Sequence, residues 1–160
     1  LIVATNQNDI LHRCLTQGEY KTSGVLPSIS PSMDIQVSSN FERLLFEAYG
    51  RDGAAVSGLM AALKAEGGFS LSQGVLEMLQ RDFQSGRCSE EQTRAQIEQT
   101  LKGSGELLCP HSAIGVHVAE QQIQPETPMI TLATAHPAKF PDAVQSATGL
   151  RPDLPPPFQE

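Results

Sequence analysis

The chain has 160 residues, 39% of them hydrophobic, and a formal net charge of −7 from 11 Lys and Arg against 18 Asp and Glu. This length suits one hydrophobic core rather than two full domains. The acidic balance and the scattered basic residues argue against nucleic acid as a partner, since a phosphate backbone is bound by clustered positive charge.

Composition also bears on location and on metal chemistry. No stretch approaches the roughly 18 apolar residues of a membrane helix, and none has the layout of an export signal, so we expect a soluble cytoplasmic protein without a membrane partner. Cys14, Cys88 and Cys109 are odd in number and form no Cys-x-x-Cys pair. This predicts buried free thiols rather than disulfides or a metal site.

The chain opens with a β-branched apolar run, which predicts a buried parallel strand over residues 1–5. A strand without a polar lead-in predicts a piece of a larger domain whose sheet is incomplete here. A short helix is expected around residues 10–15, ending at Gly18. Residues 20–37 contain Pro27 and Pro31 and are predicted to form an ordered loop.

Helices are expected to dominate the middle of the chain, about residues 50–105. Four helices are predicted from residue 39 onward, at about 39–50, 53–63, 73–83 and 89–103. The first and the fourth begin with the sequence pattern of a capping box, Ser39 with Glu42 and Ser89 with Gln92.

The last third is predicted to return to mixed structure. Small residues at 113, 115 and 119 indicate a closely packed helix over 112–120, and residues 129–133 are the second predicted buried strand. A loop at 134–140, a helix from Pro141 to Gly149 and a Pro-rich surface tail at 152–160 follow. The pattern as a whole predicts an α/β fold with two buried strands and several helices between them.

Three segments resemble the threonine synthase family, in its bacterial and fungal branch. They are LIVATNQNDIL (1–11), SPSMDIQVSSNFERLLFE (30–47) and TLATAHPAKFPDAV (131–144). A fourth, CPHSAIGVHVA (109–119), is similar to the family's Pro-His motif but has Cys109 where an acidic residue is usual. The resemblance implies that residues 1–160 are the C-terminal part of a catalytic domain of fold type II, which depends on pyridoxal 5′-phosphate (PLP).

The resemblance also implies an activity. It is the conversion of O-phospho-L-homoserine and water to L-threonine and phosphate, a carbon–oxygen lyase reaction in which PLP acts as an electron sink. The Schiff-base lysine and the Gly-rich loop for the PLP phosphate would lie upstream. No catalytic residue is therefore expected in this fragment, and Lys139 is not that lysine. The alternative is a non-catalytic interaction or regulatory module that reuses the fold. A PLP-dependent dehydratase or β-synthase is less favoured because of the TAHPAKF run.

Candidate site residues follow the two predicted strands. The family's threonine at position 134 faces the pyridine nitrogen of PLP, so the resemblance implies cofactor binding by Thr134; otherwise Thr134 is a strand-end residue. Lys139 is a candidate for the substrate phosphate as a point charge, or else a solvated lysine. Asn6 is a candidate on the ligand side of the first strand, or else a strand terminator.

For the polar residues near these candidates, the sequence gives weaker reasons to predict a functional role. Asp9 follows the first predicted strand, as Asn6 does, and His136 is expected to shape the same loop as Lys139. His111 beside Ser112 has no acidic orienter for nucleophilic catalysis, so a helix-start histidine is expected. Strands missing from the sheet should leave apolar edges beside Val3 and Ile130, which predicts self-association or marginal stability.

Overall fold

A computed structural model of the chain describes residues 1–158, without the side chain of Phe158, and this part has the α/β class predicted from the sequence. None of its helices is long and apolar enough to cross a membrane. In chain order its strands and α-helices are β1 (Ile2–Thr5), α1 (Ile10–Gln17), β2 (Glu19–Lys21), α2 (Phe41–Ala48), α3 (Gly53–Glu66), β3 (Gly68–Ser70), α4 (Gln73–Asp82), β4 (Gln84–Arg87), α5 (Glu90–Ser104), α6 (Pro110–Glu120) and α7 (Pro141–Thr148).

The chain forms two compact units, each built from separate stretches of sequence. Unit 1 contains residues 1–3, 8–26 and 35–86, and unit 2 contains residues 4–7 and 27–34 and the chain from Arg87 onward. The strands form two-stranded sheets, β1 with β4 and β2 with β3. Of the predicted tail at 152–160, Gln159 and Glu160 lie outside the described residues.

The core of unit 1 is centred on Tyr20, which is 2% exposed. Its ring stacks on Phe41 and Phe69, with centroids 5.5 and 4.8 Å away, and its hydroxyl accepts the Ser38 N–H at 2.8 Å. The antiparallel pairing of β2 with β3 brings Gly68 so close that a Cβ there would lie 2.7 Å from the Tyr20 carbonyl oxygen. Glycine at position 68 is therefore required by the pairing. Neither strand was predicted, because residues 20–37 have the composition of a loop and residues 68–70 lie between two predicted helices.

A tight turn links α2 to α3 in unit 1. Gly50 and Arg51 both have left-handed backbones, with φ of 67° and 66°. The Arg51 Nε lies 3.0 Å from Glu47 Oε2, and Asp52 then caps α3 by accepting two backbone N–H groups. A side chain at φ 66° is uncommon, so the turn places Arg51 in an unfavourable conformation.

Unit 2 is built around α5, α6 and α7, whose fully buried side chains include Ile97, Ile114 and Val144. The capping box of Ser89 with Gln92 is confirmed at the start of α5. A Cβ at Gly115 would lie 2.9 Å from Thr131 Cγ2. The predicted close approach to α6 is therefore confirmed at this glycine.

The prediction of a buried strand over residues 129–133 was wrong. This segment pairs with no strand among residues 1–158, and Ile130 and Leu132 are 81% and 78% exposed. An apolar, β-branched segment becomes a strand only where a partner satisfies its backbone groups. No described strand lies beside this one.

Two helix starts also differ from the prediction. The pattern of Ser39 with Glu42 does not form a capping box, because α2 begins at Phe41 and its N-cap, Asn40, makes no side-chain capping bond. Helix α6 begins two residues earlier than expected, at Pro110, with Cys109 as its N-cap. Proline at the first helical position costs no hydrogen bond, since that N–H has no intrahelical acceptor.

Candidate functional site

Cys109, His111 and Ser112 lie together at the N-terminal end of α6 in unit 2. Cys109 is 1% exposed, and its Sγ accepts the Ser112 N–H at 3.4 Å. The Ser112 Oγ lies 3.2 Å from the same sulfur. Cysteine thus occupies the N-cap, where an oxygen side chain is usual, and satisfies one of the free N–H groups of the helix.

The three cysteines have different proton affinities. Burial raises the pKa of Cys109, but interactions with His111 and Ser112 more than offset it and lower the pKa to about 6. Burial raises the pKa of Cys14 to about 12 and also raises that of Cys88. Of the three cysteines, Cys109 is therefore the one whose thiolate is favoured at neutral pH.

His111 links α6 to two loops of unit 2. Its Nε2 accepts the Ser32 N–H at 3.2 Å, so the hydrogen of the neutral ring is on Nδ1. The ring packs on Phe140 with centroids 4.6 Å apart. Nδ1 is buried and has no hydrogen-bond partner among the described residues. The histidine therefore has the helix-start position expected from the sequence and also contacts both loops.

Asn6 is the centre of a buried polar cluster. It is 2% exposed, and its Nδ2 lies 3.0 Å from Ser28 Oγ, 3.0 Å from Ser30 Oγ and 2.7 Å from Asp34 Oδ1. Asp34 in turn accepts the Ser28 N–H at 2.8 Å. These bonds close loop 27–34 on itself and hold it at the end of β1.

The same loop is bound to α5 by Glu90. Glu90 Oε1 accepts the Ile29 N–H at 2.6 Å, and its Oε2 pairs with Arg94 Nη2 at 3.1 Å. A backbone amide held by a carboxylate is a strong, charge-assisted contact. Loop 27–34 is therefore hydrogen-bonded both to Asn6 and to α5.

Thr134, His136 and Lys139 lie on one loop and are exposed. The Thr134 N–H donates to Ser112 Oγ at 3.2 Å, whereas its hydroxyl has no hydrogen bond to residues 1–158. His136 Nδ1 accepts the Ala138 N–H and caps a short 3₁₀ turn at 137–139. Lys139, which ends that turn, forms no ion pair within the described chain.

The structure brings together some of the predicted site residues. Thr134 and Lys139 share a loop, and Asn6 belongs to the cluster with loop 27–34. Asp9 lies in unit 1, where it pairs with Arg13 at 2.9 Å. No group of three or more His, Cys, Asp or Glu side chains within residues 1–158 could hold a metal ion.

Comparison with known proteins identifies relatives of the chain. Residues 112–160 match the family described as "Threonine synthase, C-terminal". The chain is 50% identical over 157 residues to the threonine synthase of Pseudomonas aeruginosa, covering 97% of this chain and 34% of that protein. It is 41% identical over 165 residues to that of Saccharomyces cerevisiae, covering 92% and 32%.

Solved structures of threonine synthases are also similar to this chain. The crystal structure of PLP-bound threonine synthase from Brucella melitensis matches with a TM-score of 0.96 and 56% identity, covering 99% of this chain and 34% of that one. The structure of the yeast enzyme matches with a TM-score of 0.84 and 38% identity, covering 92% and 32%. The resemblance inferred from the sequence is thus confirmed, and the chain spans about a third of the length of its relatives.

Proposed function

We propose that this chain is the C-terminal third of a threonine synthase, a PLP-dependent carbon–oxygen lyase that converts O-phospho-L-homoserine and water to L-threonine and phosphate. The observation that carries the proposal is the 50% identity with the Pseudomonas aeruginosa enzyme across 97% of the chain. The TM-score of 0.96 to a PLP-bound threonine synthase supports it. We further propose that the protein acts in the cytoplasm.

Thr134 suits the pyridine-nitrogen side of the cofactor. Its side chain is exposed, its hydroxyl has no partner within residues 1–158, and its backbone is held by Ser112. When bound, PLP supplies an electron sink. A hydroxyl is neutral and, unlike a carboxylate, does not hold the ring nitrogen protonated. Thr134 would therefore moderate the sink and suppress side reactions.

Lys139 and Asn6 have different proposed roles. Lys139 is exposed and forms no ion pair in the described chain, so its ammonium is available for the substrate phosphate. The Nδ2 of Asn6 is already engaged with Ser28, Ser30 and Asp34. We therefore assign Asn6 to positioning loop 27–34 at the substrate side rather than to direct contact.

We place the Schiff-base lysine outside this chain. The four lysines here are at positions 21, 64, 102 and 139, and we infer from the family resemblance that none of them is the cofactor lysine. The relatives are about three times as long, which leaves room for that lysine and for the phosphate loop.

The test uses the complete protein with PLP and O-phospho-L-homoserine, with threonine and phosphate measured together. Thr134→Val keeps the shape and removes one hydrogen bond to the ring. Leaving a buried polar group without its partner costs on the order of 1–3 kcal/mol, so PLP affinity or turnover should fall about ten- to hundredfold.

Thr131→Val is the matched control. It keeps the methyl group that packs on Gly115, and we expect less than a twofold change in turnover. Equal, mild effects at positions 131 and 134 would refute the role of Thr134. Absence of threonine formation by the unchanged protein would instead favour the non-catalytic module.

A further inference from the structure

We propose that Cys109 is a positioning residue for Thr134 and acts through the hydroxyl of Ser112. This inference rests on the proposed function, in which Thr134 contacts the cofactor ring. It assigns a role to the residue at which the chain departs from the usual acidic residue of the Pro-His motif.

The direction of the hydrogen bonds follows from the chemistry of the three groups. A backbone N–H can only donate, so Ser112 Oγ is the acceptor in its 3.2 Å contact with Thr134 N. The Ser112 hydroxyl hydrogen is then available for Cys109 Sγ, 3.2 Å away. The result is a directed chain from the Thr134 N–H through the Ser112 hydroxyl to the sulfur.

The sulfur is well suited to end this chain. It caps an 11-residue helix, where the free N–H groups and the helix dipole favour negative charge. Although burial raises its pKa, interactions with His111 and Ser112 lower the pKa to about 6, which favours the thiolate at neutral pH, and a thiolate can only accept. His111, whose buried Nδ1 has no hydrogen-bond partner in the described chain, also favours the negative charge of the sulfur.

The position of Thr134 therefore depends on a group buried three residues before Ser112. Thr134 itself is exposed, and its N–H bond to Ser112 is its one described polar tether. Without the acceptor at position 109, the Ser112 hydroxyl can rotate and present its hydrogen towards Thr134. This would release the backbone that carries the proposed ring contact.

The experiment compares Cys109→Ala, Cys109→Asp and Cys88→Ala in the complete protein. Cys88 is the matched control, because it is a buried cysteine of unit 2 with a raised pKa and it contacts Thr93 instead. Amide hydrogen exchange at Thr134 is measured without cofactor, and the dissociation constant of PLP is measured by titration.

We expect Cys109→Ala to speed exchange at Thr134 about three- to tenfold and to weaken PLP binding by a similar factor. Cys109→Asp retains an anionic acceptor that favours the N-cap and should restore both within about twofold. Cys88→Ala should leave both unchanged. If Cys109→Ala folds poorly, Cys109→Ser takes its place, with a smaller change in the same direction.

A double-mutant cycle with Ser112→Ala separates this chain from a general loss of stability. Because both residues act on the same bond, Cys109→Ala should add little to Ser112→Ala. Additive effects, or a change in exchange matched by Cys88→Ala, would overturn the inference. The exchange result does not depend on enzyme activity. Failure of Thr134→Val to affect PLP binding would therefore refute the proposed contact between Thr134 and the ring, and would leave the hydrogen-bonded chain from Cys109 to Thr134 standing.

Discussion

Replacement of Gly115 by alanine sets two opposing effects against each other. In an open helix this change stabilises by about 0.5–1 kcal/mol, because glycine loses more backbone entropy on folding. In α6 the new Cβ would lie 2.9 Å from Thr131 Cγ2, well inside the roughly 3.5–4.0 Å optimum for two carbon atoms. Threonine is β-branched and stiff at χ1, so the methyl group cannot easily move away. Overpacking typically costs about 1–3 kcal/mol, and we expect a net loss of about 1–2 kcal/mol.

Urea unfolding of the complete protein measures this loss, and α3 offers a control. Gly58 is exposed within that helix, and a Cβ there would meet nothing within 4 Å, so Gly58→Ala should stabilise slightly. Combining Gly115→Ala with Thr131→Ser removes the opposing methyl group and should recover most of the loss. An unfolding midpoint for Gly115→Ala at or above that of the unchanged protein would contradict the packing argument.

Three further predictions concern ionisation, backbone strain and association. The folded pKa of Cys109, about 6, lies below its ordinary value of 9.0, so its stabilisation is complete above pH 9 and is lost as the pH falls towards 6. Urea unfolding of Cys109→Ser should show a flatter pH dependence over this window, and parallel curves would exclude the thiolate. Arg51→Gly should raise the melting temperature, because it relieves the left-handed backbone and loses only an exposed ion pair with Glu47; a lower melting temperature would show that this ion pair outweighs the strain. In sedimentation of the 160-residue chain, Ile130→Lys and Leu132→Lys should reduce self-association, and a monomeric unchanged chain would contradict this.

Short sequence patterns predicted most of the helices, but they could not predict which strands pair with each other. Ser89 with Gln92 formed its capping box because both partners lie within one turn. Ser39 with Glu42 has the same pattern, but the chain enters α2 one residue later, at Asn40. The β2–β3 pair was missed because it depends on Tyr20 meeting Phe69 and on the space left by Gly68, which no local window contains.

The candidate site was predictable mainly through family resemblance. Thr134 and Lys139 were chosen from the TAHPAKF run, since no local physical rule distinguishes them from surface residues. Cys109 was visible as a departure from an acidic residue, but its bond to Ser112, and that of Ser112 to Thr134, needed coordinates. The cluster around Asn6 likewise joins residues more than 20 positions apart.

The discontinuous make-up of unit 2 has a consequence for how the protein is made. Residues 4–7 and 27–34 leave the ribosome long before the last 70 or so residues that complete the same unit. The Ser32 N–H cannot bond to His111, and the Ile29 N–H cannot bond to Glu90, until those later residues have been synthesised. These two hydrogen bonds close loops of 79 and 61 positions. Contacts this distant form late, and the early segments are exposed to misfolding until then. Expression of residues 112–160 alone would omit Ser32 and Glu90, so division of the gene at the family boundary should yield an unstable product.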